Sequence, residues 1–158
     1  MSETTAADDR GEVDRNLALL AYGLLFVSIL FAGLPGLIAV VIAYVQRDVA
    51  GPAMRSHFAY QIRIFWVALA LTLVAALSAL GAVAVGVGEL IDIGIHHNWD
   101  AWDSVSFEIS DMDLNPAIVV LLGIAGIASL ATAAWLIVAP AIGFIRLVSQ
   151  RGMGDRAA

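Results

Sequence analysis

Three stretches of this chain carry no formal charge, and each is long: 29 residues at 17–45, 24 at 64–87 and 29 at 117–145. A helix needs roughly 20 apolar residues to cross a hydrocarbon layer about 30 Å thick. All three runs pass that length. They predict an all-α integral membrane protein, a small helical bundle of three long apolar segments over 17–45, 57–87 and 117–148. Only 14% of the residues are charged, against about a quarter in an ordinary soluble domain. The expected organisation is a single transmembrane domain over 17–150, between a mobile acidic tail at 1–16 and a short C-terminal tail at 151–158. The acidic start and the length of the first run both differ from a cleavable secretory leader.

Charge is unevenly distributed along the chain. Five of the 14 acidic residues precede Leu17, and seven lie between Glu89 and Asp113. All eight basic residues are arginine. They form no stripe able to neutralise a run of phosphates, so no nucleic-acid partner is expected. With no cysteine in the chain, disulfides, thiolate catalysis, cysteine-based zinc sites and iron–sulfur clusters are excluded.

Gly33-Leu34-Pro35-Gly36 interrupts the first run. Proline removes a backbone donor and clashes with the preceding turn, and glycine loosens the backbone. The run is then either one kinked, tilted span of roughly 40 Å or two short helices that turn back at Gly33–Pro35. Arginine placement favours the second, giving four helical elements. Short cytoplasmic loops are enriched in basic residues, and the connection over 89–115 has none. A hairpin puts all eight arginines and both termini on the cytoplasmic side, with the acidic connection on the opposite face.

The chemically richest stretch is "RSHFAYQIRIFW", Arg55 to Trp66, at the mouth of the second run. On a helix His57 and Gln61 share a face, as do Tyr60 and Arg63. Arginines snorkelling toward headgroups inside an aromatic collar account for Arg55, Arg63 and the rings. His57 and Gln61 suggest in addition an interhelical hydrogen-bond node, or a contact with a headgroup or partner. His57 is also a candidate proton sensor.

Residues 38–66, "IAVVIAYVQRDVAGPAMRSHFAYQIRIFW", resemble a family of small uncharacterised bacterial membrane proteins. That family is remotely grouped with the small membrane subunit of the chloroplast inner-envelope translocon, and is sometimes called Tic-like. Ala43-Tyr44, Ser56-His57-Phe58, Gln61-Ile62-Arg63 and Phe65-Trp66 carry the likeness, with Trp135 and Arg146 consistent with its closing segment. The chain departs from it at Ile64, where threonine is frequent, and in a longer acidic connection. The resemblance implies a helical protein of a bacterial inner (cytoplasmic) membrane with no established biochemical role.

The connection "ELIDIGIHHNWDAWDSVSFEISDMDLN" places Asp92, His96 and Asp100 on one face if it is helical. Histidine and carboxylate at that spacing are a candidate divalent-metal set. Trp99 and Trp102 among isoleucines favour a segment lying along the membrane surface, followed by strand-like alternation at Val105, Phe107 and Ile109. No phosphate loop, nucleophile elbow or zinc-protease spacing is present. The expectation is a non-enzymatic accessory or interaction subunit without cofactor. Its partners are the lipid bilayer and either another membrane protein or further copies of itself. The alternative is a component of a small oligomeric transporter or channel, whose polar lining would be Thr72, Ser78, Ser129 and Thr132.

Overall fold

A computed structural model describes residues 2–31, 33–96, 115–149, 151 and 153. Among them the chain is all-helical, with four helices and no strand: α1 (Ser2–Val27), α2 (Leu34–Arg47), α3 (Pro52–His96) and α4 (Pro116–Val148). The strand-like alternation at Val105, Phe107 and Ile109 lies outside the described residues.

The first apolar run is broken, as its glycine and proline predict. The chain leaves α1 at Val27 and turns through Leu30 N–H to Val27 O (3.0 Å) and Gly33 N–H to Ser28 O (2.9 Å). Gly33 sits at φ 85°, a left-handed conformation that is cheap only without a Cβ. Pro35 falls in the first turn of α2, where its missing N–H deprives no intrahelical partner. Proline therefore starts a second helix instead of kinking one long one. Upstream the structure differs from expectation: the stretch expected as a tail at 1–16 is helical from Ser2. Once the apolar part of α1 has nucleated, each added residue fixes one backbone unit per hydrogen bond, so extension toward the N-terminus is inexpensive.

Two helices, α3 and α4, are long and apolar enough to cross a membrane; α2, at 14 residues, is a shorter apolar helix. The described chain falls into two compact units, Met1–Ala70 with Ala131–Ala158, and Leu71–Leu130.

In the first unit, Tyr22 meets His57 and Gly143, while Ser28 and Gly36 meet at Phe65. Helix α1 thus runs alongside the start of α3 in the same direction, and α2 and α4 return against them. Small residues permit the approach. Ala18, Ala21, Ala39 and Ala43 are fully buried, and a Cβ at Gly36 would stand 3.4 Å from that of Ser28. Small faces of this kind let helix backbones close together. Tyr22, Leu25, Phe58, Ile64 and Leu147 fill the core between them.

In the second unit, α3 and α4 pair antiparallel. Leu121 covers Gly81 and Ile118 covers Gly86, with Ala82 and Ala128 buried. The inward stripe of α4 is thus Ile118–Leu121–Ala125–Ala128. The bulky side chains fill the notches left by the glycines, and that fixes the rotation of α4. Ser129 faces outward and returns its hydroxyl to Ala125 O (2.8 Å). Asn115 caps α4 by accepting from Ala117 N–H (2.9 Å) and donates to Glu89 Oε1 (2.5 Å).

Candidate functional site

The residues singled out at Arg55–Trp66 divide by direction. Helix α3 begins at Pro52, with Arg55 N–H bonding Gly51 O (2.9 Å). Its 3.6-residue period then turns His57 and Gln61 inward and Arg55 and Arg63 outward. His57 is 1% exposed and Gln61 0%. For these two residues the interhelical alternative describes the geometry. The arginines occupy the outer face that snorkelling requires.

His57 joins three segments of the chain. Its Nε2 lies 3.0 Å from Arg151 O and its Nδ1 lies 3.1 Å from Tyr22 Oη. A carbonyl only accepts, so Nε2 carries the proton and Nδ1 accepts from the tyrosine hydroxyl. The neutral ring satisfies both contacts, and nothing in the arrangement calls for the imidazolium. The two rings meet edge to face at 6.1 Å. Tyr22 reaches this position only because residue 143 is glycine: a Cβ there would overlap the Tyr22 ring.

Gln61 ties α3 to α1 through Nε2–H to Ala18 O (2.8 Å). Its Oε1 is buried and has no hydrogen-bond partner among the described residues. A buried acceptor left unmatched costs about 1–3 kcal/mol. That cost opposes the bond made by the other end of the same amide.

The chain beyond α4 folds back over the start of α3. Met153 N–H donates to Ser56 Oγ (3.1 Å), and Arg146 Nη1 donates to Met153 O (3.4 Å). Around this node the aromatic collar is hydrogen-bonded. Trp66 Nε1–H reaches Tyr44 Oη (3.0 Å), Arg47 lies over the Tyr44 ring at 5.9 Å, and Trp135 Nε1–H reaches Ile64 O (3.2 Å). Arg47 and Arg55 share Asp48 at 3.3 and 3.7 Å. Both pairs are well exposed, and such pairs contribute at most about 1 kcal/mol.

The structure therefore brings His57 and Gln61 together with Ser56 of the same stretch and with Tyr22, Gly143 and the backbone of Arg151 and Met153, and these last four did not stand out in the sequence. Tyr22 offered one signal, a tyrosine placed inside an apolar run. Its partners are 35 and 121 positions away (57 − 22 and 143 − 22), beyond the reach of any local pattern. Of the metal set, Asp92 and His96 lie in α3, whereas Asp100 falls outside the described residues. No group of three histidine or acidic side chains comes together among the described residues.

Within the node each ring nitrogen of His57 is paired with a group of the same chain, the Tyr22 hydroxyl and the Arg151 carbonyl. Its chemistry is the internal pairing of polar groups. No family model, curated protein or solved structure matches the chain.

Proposed function

We propose that the protein is a non-enzymatic integral membrane protein of a bacterial inner membrane, acting as an accessory or interaction subunit of a membrane complex. What carries this reading is the opposition of its two surfaces. Only 11% of the most apolar window of α3, and of α4, is buried within the chain. Large side chains such as Leu77, Ile127 and Leu130 are 66–73% exposed. Water does not tolerate so much contiguous apolar surface; lipid or another apolar helix does. The histidine and the glutamine meanwhile turn inward, toward groups of their own chain. Interior polar pairing with an apolar exterior suits a protein whose work is done by contact. The resemblance over 38–66 is the ground for placing it beside the Tic-like membrane proteins.

A photo-reactive amino acid at Leu77 or Ile127, introduced in intact cells, tests this. The expected product is a discrete crosslink to one protein partner or to a second copy. Adducts to lipid alone at both positions would refute the subunit role and leave a membrane anchor.

The short α2 favours the second reading, a small oligomeric transporter or channel component. Fourteen residues rise about 21 Å, less than the roughly 30 Å of hydrocarbon, and half-depth helices recur in transporters. Solute flux in proteoliposomes that falls when Thr72 or Thr132 is changed would select it.

A further inference from the structure

The connection between α2 and α3 gathers charges of both signs in a small space. Arg47 ends α2, Asp48 follows it, and Arg55 stands in the first turn of α3. Arg47 Nε lies 3.3 Å, and Arg55 Nη2 3.7 Å, from the same oxygen, Asp48 Oδ1. The side chains of Arg47, Arg55 and Asp48 are 39%, 62% and 65% exposed. One carboxylate thus holds two guanidiniums side by side at the surface, where all three groups can meet a ligand. The layers beside this cluster give its depth. The outer face of α2 passes from Leu37, Ile38 and Val41, 51–60% exposed, through Tyr44 to Arg47, a rise of about 15 Å. Tyr44 Oη accepts from Trp66 Nε1–H (3.0 Å), and the Arg47 guanidinium lies over the Tyr44 ring at 5.9 Å. Apolar, then aromatic, then charged is the order met on leaving hydrocarbon for the headgroup layer.

We propose that Arg47, Asp48 and Arg55 form a binding site for the headgroup of phosphatidylethanolamine. This rests on the membrane reading above and adds a ligand to it. Guanidinium forks match phosphate oxygens two at a time, and the Asp48 carboxylate accepts from the primary ammonium. Each charge of the headgroup then meets its opposite. The same arrangement selects among lipids. Phosphatidylglycerol sets its phosphate beside Asp48 and brings no ammonium to answer the carboxylate. Phosphatidylcholine brings a quaternary ammonium, which has no N–H to donate to Asp48. Such a cation is held instead over an aromatic face, and here Arg47 already lies over that of Tyr44.

The test is the lipid that travels with the protein. The full chain is extracted in mild detergent with an equal mixture of phosphatidylethanolamine, phosphatidylcholine and phosphatidylglycerol of matched acyl chains, and retained lipid is counted by native mass spectrometry. The expected result is retention of phosphatidylethanolamine about fivefold over phosphatidylcholine. That factor equals about 1 kcal/mol, the upper end for one exposed charged pair. Asp48→Asn should bring the ratio close to one and raise the retention of phosphatidylglycerol. Arg47→Gln with Arg55→Gln should lower the retention of all three lipids, and Arg63→Gln, at another exposed arginine, should change nothing. The Asp48 side chain is well exposed, so Asp48→Asn should leave the helical circular dichroism intact. Equal retention of phosphatidylethanolamine and phosphatidylcholine by the wild type overturns the site, as does a preference that survives Asp48→Asn. A wild type that favours phosphatidylglycerol overturns the zwitterionic ligand. Displacement of the lipid by millimolar phosphoethanolamine would reassign the site to a soluble ligand and overturn the lipid. A chain found soluble without detergent would refute the membrane reading itself. A chain that needs detergent but shows no lipid preference refutes the headgroup site alone.

Discussion

Replacing Gly143 with alanine should weaken the first unit by more than any other single methyl group. The added carbon meets the Tyr22 ring, which is 1% exposed and has no space in which to retreat. Overpacking a core by a methyl costs about 1–3 kcal/mol. Moving Tyr22 also breaks its bond to His57 Nδ1. A lost hydrogen bond contributes about 1 kcal/mol, and an acceptor left unmatched raises that toward 2. Against these stands the better helix propensity of alanine, about 1 kcal/mol. The net expectation is a destabilisation of about 2–4 kcal/mol. Reversible unfolding in mixed micelles, followed by tryptophan fluorescence, measures it. The same change in a Tyr22→Ala background should be neutral or favourable, because the ring that clashes is gone. A neutral effect of Gly143→Ala in the wild type would refute the assigned packing. So would an equal loss in both backgrounds, which would mean the cost arises elsewhere.

Four further outcomes are expected. Gln61→Met should fall within about 1 kcal/mol of the wild type in the same unfolding assay, because it removes a buried bond and an unmatched buried acceptor together. Gln61→Glu should cost several kcal/mol, since it buries a carboxylate beside a carbonyl. Asn115→Ala should lower the stability by about 1 kcal/mol, as loss of an N-cap does, and speed amide exchange at Ala117. The chain lacks cysteine, so single cysteines at Thr4, Ser104 and Ala157 can be labelled in intact cells with an impermeant maleimide. Labelling of Ser104→Cys alone is the outcome expected of the hairpin topology, and labelling of Thr4→Cys would contradict it.

What the sequence disclosed, it disclosed through short-range rules. The break in the first run was legible because Gly33 and Pro35 act on their own backbone. The inward turn of His57 and Gln61 followed from a four-residue spacing, which fixes a shared face but not what that face meets. Tyr22, Gly143 and the Arg151 carbonyl were not legible, because their pairing is set by how three helices cross. The helical start of α1 was missed because its composition reads as tail, whereas helix extension depends on what has already nucleated downstream. On α4 the small residues do not by themselves select a stripe. An alanine-rich helix presents small residues on several faces, and Gly81 and Gly86 on the other helix make the choice.

The pairing of Tyr22 with Gly143 also sets a clock on biogenesis. Position 143 is made 121 residues after position 22 (143 − 22), which at about 5–20 residues per second takes roughly 6–24 s. Throughout that interval α1 and α2 are present without the helix that closes over Tyr22. On the membrane reading proposed above, the hairpin is sheltered by the insertion machinery or held at the bilayer surface until α4 arrives. Substitutions at Gly143 would then reduce yield during synthesis more than they reduce the lifetime of molecules that have already folded.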